Sequence, residues 1–232
     1  MPSPIRTCLI LLSVVALVWG YGSLLFADPN PPYSVEVVRQ SPPDGLSAAI
    51  RDRLADTVYR IKDADGTVWC EIWFLAEMPG SPDFKPTLDK KYPFEMGDLV
   101  GALRIPDESD FEDFRQQPID PGVYTIRYCL QLQDGNHLGT SETRDFFTLQ
   151  LAEEDTNPAR MDGEKMMELS KNAAFSDHPA IMYLMAPPEK LPGKPTVRWD
   201  AQHEYGILTV SVTLKGGKKL PLSLVFVGHA VE

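Results

Sequence analysis

From Thr57 to the end, the chain is built of short stretches of alternating or β-branched apolar residues, broken at close intervals by proline, glycine and aspartate. Period-two alternation places successive side chains on opposite faces, so such stretches bury one face only as strands of a sheet. The clearest unit is a hairpin: Thr57 to Lys62 and Thr67 to Ala76 read as strands, and Asp63-Ala64-Asp65-Gly66 between them has turn chemistry. Leu99 to Ile105, Val123 to Gln133 and Asp145 to Leu151 follow as further strands. Ala180 to Met185, Val197 to Trp199, Ile207 to Leu214 and Leu220 to Val227 complete the set, the last two joined by Lys215-Gly216-Gly217-Lys218. Pro79 to Pro93 is too polar and proline-broken for a strand and reads as a surface loop.

Helical signals are few. Ser47 is placed to cap a short helix running to Leu54, and Asp162 to cap a longer one whose stripe is Met166, Met167, Leu169 and Ala173. About eight to ten strands against one or two short helices predict a mostly β chain, an antiparallel β-sandwich forming one domain over residues 44–232.

Ahead of this domain, Arg6 is the only charged side chain in residues 1–27, and Cys8 to Phe26 are apolar or small throughout. That is the pattern of a signal peptide cleaved after Ala27, or of an N-terminal anchor left in place, because the run approaches the roughly 20 residues that span a bilayer. The chain is therefore expected to be secreted, periplasmic or on the cell surface, meeting a membrane only through this segment. Cys8 stands at the start of the apolar run and not after it, which is the wrong place for a lipidated cysteine. Residues 28–43 hold five prolines around Val35 and Val37 and read as a stem or an edge segment.

With a formal net charge of −11, the surface repels phosphate backbones, which speaks against nucleic acid as a partner. Cys70 and Cys129 are the cysteines left after cleavage, and an oxidising compartment would permit a bond between them. Strand parity opposes it: Cys70 shares a face with Val68, Ile72 and Phe74, whereas Cys129 lies opposite the apolar face of its own strand.

The familiar reaction signatures are absent: there is no Gly-rich phosphate loop before a helix, no Gly-x-Ser-x-Gly elbow, no paired-cysteine knuckle and no His-Glu-x-x-His. Two constellations remain. His137, His178 and His229 stand in loops or at strand ends, where imidazoles from separate segments, with Asp134 or Asp177, would suit zinc or copper. The alternative is that each histidine fixes its own loop. The fourth histidine, His203, sits in the polar turn Gln202-His203-Glu204. Trp69, Glu71 and Trp73 share one face of a strand, and two indoles around a carboxylate make a platform for a sugar or peptide. The alternative there is packing, with Glu71 paired to Arg60 or Arg127.

The run Pro121 to Arg127, the loop Asp134 to Thr140, the step Asp177-His178-Pro179 and the closing Val227-Gly228-His229 resemble an uncharacterised family of exported proteins from planctomycete-type bacteria. The resemblance spans most of the mature chain and implies export, but it assigns no catalytic residue and no cofactor. Together these readings predict an exported, non-catalytic binding or structural module whose partner is a protein, a glycan or another cell-surface component. The alternative is a metal-binding protein or metal-dependent enzyme using the loop histidines.

Overall fold

The computed structural model describes residues 32–133 and 141–230. The segment 1–27 and His137 lie outside the described residues. Among the described residues, ten strands follow in chain order: β1 (Tyr33–Val38), β2 (Leu54–Asp63), β3 (Val68–Leu75), β4 (Leu99–Ile105), β5 (Gly122–Leu130), β6 (Asp145–Leu151), β7 (Ile181–Met185), β8 (Thr196–Asp200), β9 (Tyr205–Thr213) and β10 (Lys219–Val227). Helices α1 (Ala48–Arg51) and α2 (Gly163–Ala174) interrupt them. The chain is thus mostly β, as its periodicity predicts.

All ten strands belong to one sheet in the order β1-β2-β3-β4-β5-β6-β7-β10-β9-β8, every neighbour antiparallel. The sheet nearly closes on itself. Its end strands β1 and β8 return to each other, with the Tyr33 ring 6.1 Å from that of Trp199, although no ladder joins them among the described residues.

Directly opposed residues in an antiparallel ladder share a face. Tyr59, Ile72, Leu103, Tyr124 and Leu151 are opposed in succession across β2 to β6 and lie on the inner face. With Phe147, Met182, Leu224, Leu208 and Val210 they form the main core. On the outer face, Cys129, Phe146, Tyr183, Val225 and Ile207 make a second cluster, covered by Met166 of α2 and by Phe114. Both faces of the sheet are therefore dry over much of β5, β6 and β7, and β3 and β4 are likewise buried along nearly their whole length.

Local chemistry explains the helices. Ser47 caps α1 by accepting from the Ile50 N–H, and Asp162 caps α2 by accepting from the N–H groups of Glu164 and Lys165. Helix α1 stops at Arg51, short of Leu54, because Leu54 is taken into the ladder opposite Leu75. Residues 28–43 are likewise not all stem: Tyr33 to Val38 pair with Val58 to Asp63 as an edge strand of the sheet.

One junction is built differently from the rest. Strands β7 and β10 meet at only two opposed pairs, Ser223 with Met185 and Leu224 with Leu184. At the first of these the hydroxyl of fully buried Tyr92 is inserted, accepting from the Ser223 N–H (3.0 Å) and donating to the Met185 carbonyl (2.8 Å). Replacing Tyr92 with phenylalanine removes both bonds at once. The expected loss is about 2 to 3 kcal/mol, since each buried group left unpaired costs about 1 to 3 kcal/mol. Urea melts check it, and an unchanged midpoint would show that the two strands close up and pair directly.

Candidate functional site

An open cleft of about 570 Å3 lies at one end of the sheet. Its walls come from five separate parts of the chain. Asp52 and Arg53 enter between α1 and β2, and Leu75, Ala76 and Glu77 come at the end of β3. Asp98 and Leu99 open β4, Pro158 to Arg160 belong to the connection from β6 to α2, and Lys215 comes from the β9–β10 turn.

Backbone hydrogen bonds hold these pieces together. The Ala76 N–H donates to the Arg53 carbonyl at 2.9 Å. Met78 crosses to β9, its N–H donating to the Thr213 carbonyl (2.7 Å) and its carbonyl accepting from the Lys215 N–H (3.0 Å). Since β3 and β9 are not neighbours in the sheet, this bridge runs across its end, and Met78 is fully buried there.

The 157–160 wall is fixed from beneath by Arg127. This guanidinium, on the outer face of β5, has no exposed surface. Its Nε and Nη2 grip the Asp155 carboxylate at 2.7 and 2.8 Å, and the remaining hydrogens go to the carbonyls of Gly97, Ala159 and Asn157. All five guanidinium donors are thereby used. Thr125 adds a hydroxyl to Asp155 at 2.5 Å. Gly97 has to be glycine: its φ is +86°, and a β-carbon built on it would run into the Met161 carbonyl. The connection from β6 to α2 is therefore clamped to the sheet by a dry ion pair and a close backbone approach.

Charges of both signs line the cleft. Arg160 donates through Nε to Asp98 at 2.8 Å, and Asp98 also accepts the Glu95 N–H. Arg53, Lys215, Asp52 and Glu77 form no side-chain hydrogen bond or ion pair with any described residue. Ala76, Pro79, Pro158 and Ala159 supply apolar surface between them, while Leu75 and Leu99 are buried in the core.

No family model, curated protein or solved structure matches the chain.

The residues singled out from the sequence lie elsewhere. Glu71 is buried, and its two oxygens are each taken by a guanidinium, Arg60 Nε at 2.8 Å and Arg104 Nε at 2.6 Å. Arg60, Glu71 and Arg104 are opposed across β2, β3 and β4, and Glu36 of β1 extends the row. Arg127, the other partner considered for Glu71, is committed to Asp155 instead. Trp73 is fully buried and donates through Nε1 to the Gln40 carbonyl at 3.2 Å. Trp69 is separated from it by a slip in register: Cys70 opposes Ile61 but Val68 opposes Lys62, so Trp69 has no partner in the ladder. Its half-buried ring packs on Tyr33 and Phe111 at 5.7 and 6.2 Å. The two indoles share no exposed face, and Glu71 between them faces no solvent.

Of the histidines, His178 is exposed beyond α2, its N–H donating to Ser176 Oγ at 3.2 Å. His229 is half-buried, and its carbonyl accepts from the Tyr205 hydroxyl. Their segments reach a common neighbour, since Phe114 donates its N–H to Ile181 and accepts that of Ala230. His203 stands 3.4 Å from Asp200. Among the described residues, no three His, Cys, Asp or Glu side chains gather as a metal ion requires.

Both described cysteines are free, and they occupy different clusters, Cys70 the inner core and Cys129 the outer. Burial raises both thiols: Cys70 well above the usual range and Cys129 to about 12, with Arg144 pulling the latter slightly down. A thiol held protonated is a poor nucleophile. Native protein should therefore resist a thiol-labelling reagent at both positions until denaturant opens the fold, and two labels should then add to them. Rapid native labelling of Cys70 would show that β3 opens locally.

Buried carboxylates are occupied by the fold itself. Burial pushes the Asp145 and Asp113 carboxyls up against the donors that hold them down. Asp145 accepts from Tyr128 Oη and from the N–H groups of Lys91 and Tyr92, pinning the 79–93 loop to β5 and β6. Asp113 accepts from the N–H groups of Arg115, Gln117 and Ile181 and from the Gln117 amide. Each works as a loop anchor.

Proposed function

We propose that this chain is an exported, non-catalytic binding module that takes its ligand in the cleft at the end of the sheet. The observation that carries the reading is the cleft's construction: a wall clamped from below by the dry Arg127–Asp155 pair, with charges of both signs that have no partner among the described residues standing over apolar surface. A preformed, rigid wall spares a ligand the ordering entropy that a mobile loop would charge it. The described thiols and the two raised carboxyls are buried in packing or loop anchoring, which suits recognition better than turnover. Export rests on the composition of residues 1–27.

The test uses the purified chain with cell-envelope extract separated into peptide, glycan and small-molecule fractions. A ligand that prefers the folded state raises the melting temperature as RT ln(1 + [L]/Kd). One fraction is expected to do so. The exposed cleft variants Arg53→Ala and Glu77→Ala should reduce the rise while leaving the ligand-free melting temperature nearly unchanged, because surface substitutions away from packing cost little. A rise that both variants retain in full would place binding elsewhere, and conversion of the ligand to products would make the chain an enzyme.

A further inference from the structure

Resting on that reading, we propose that the cleft's ligand is a peptide segment carrying both acidic and basic side chains around an apolar one. Charge bookkeeping selects this class. The lining holds three cations, Arg53, Arg160 and Lys215, and three carboxylates, Asp52, Glu77 and Asp98, in a chain whose net charge is −11. The Arg160–Asp98 pair satisfies itself at 2.8 Å. That leaves two cations and two carboxylates without partners among the described residues.

Each competing ligand class meets an obstacle in this arrangement. A polyanion such as a phosphorylated or sulfated chain would gain Arg53 and Lys215 but would have to lie against Asp52 and Glu77, and like charges in close apposition oppose binding. A neutral glycan is usually gripped by stacking on aromatic faces, and among the described residues the cleft lining has no aromatic ring. A peptide offers what the walls ask for: an apolar side chain for the surface of Ala76, Pro79, Pro158 and Ala159, with flanking charges of both signs for the rim. The open form of the cleft, bounded by five chain segments rather than enclosed, admits an extended chain passing through.

The experiment selects peptides from a random dodecapeptide phage library on the folded full chain, with a glycan array probed in parallel. Enriched peptides are expected to combine acidic and basic residues about an apolar one. Their affinity should fall about tenfold on Arg53→Glu with Lys215→Glu, and similarly on Asp52→Lys with Glu77→Lys, while the melting temperature of each double variant stays at the parent value. Enrichment of peptides of one charge sign, binding that neither double variant weakens, or no enrichment at all overturns the proposal. A glycan bound in a way that the double variants abolish also overturns it and leaves the binding-module reading standing. If neither library binds through these residues, the peptide proposal falls, and the binding-module reading falls only if the small-molecule fraction also leaves the melting temperature unchanged.

Discussion

Replacing Asp155 with alanine is expected to destabilise the chain by about 3 to 5 kcal/mol, the cost of leaving a buried charge without its partner. Arg127 and Asp155 are both fully buried, and the pair is bidentate, so neither water nor a neighbouring carboxylate stands ready to replace the lost oxygens. The carbonyls of Gly97, Asn157 and Ala159 would still accept from the guanidinium, but they carry no full charge. Denaturant melts measure the loss. Removing the charge as well, with Arg127→Met added to Asp155→Leu, should recover only part of it, because those three carbonyls then lose their donor. An Asp155→Ala midpoint equal to the parent would show that the guanidinium finds solvent through a gap in the β6–α2 connection. The same variants should weaken ligand binding in the cleft beyond what Arg53→Ala does, because the 157–160 wall hangs on this clamp.

The second large effect is expected at Trp73. Its side chain has no exposed surface, lies opposite Val58 and Ala102 on neighbouring strands, and reaches the Gln40 carbonyl with its indole N–H. Truncation to alanine should cost about 3 to 5 kcal/mol through lost transfer energy and the cavity left behind. Trp69→Ala should cost distinctly less, since that ring is half-exposed and touches Tyr33 and Phe111 at the margin of the core. Equilibrium unfolding of the two variants side by side decides the matter. A nearly neutral Trp73→Ala that lost affinity for a glycan would return the pair to ligand binding.

Much of this architecture is legible before folding. The hairpin around Asp63 to Gly66, the bounds of β4 and β6, and the caps Ser47 and Asp162 all follow from period and turn or cap chemistry within a few residues of chain. The parity argument against a Cys70–Cys129 bond also holds, because a regular strand cannot turn one residue to both faces. Trp69 was not legible in the same way: alternation assigns it to the face of Trp73, and a slip in the β2–β3 register removes it from the ladder.

The cleft left no comparable mark. Asp52, Glu77, Asp98, Arg160 and Lys215 read individually as loop charges, and an arginine such as Arg127 suits any carboxylate within reach. Glu71 was an equally good partner for it on composition and charge; the fold instead set Arg60 and Arg104 beside Glu71 by strand register, and Asp155 beside Arg127 by the path from β6 to α2. Alternation and turn residues act over neighbouring positions, so the sequence by itself determined that the chain is strands, and broadly where. Coulomb attraction and hydrogen bonding do not specify distance along the chain, so only the closing of the sheet decided which charges meet, which are buried, and which are left unpaired at the cleft.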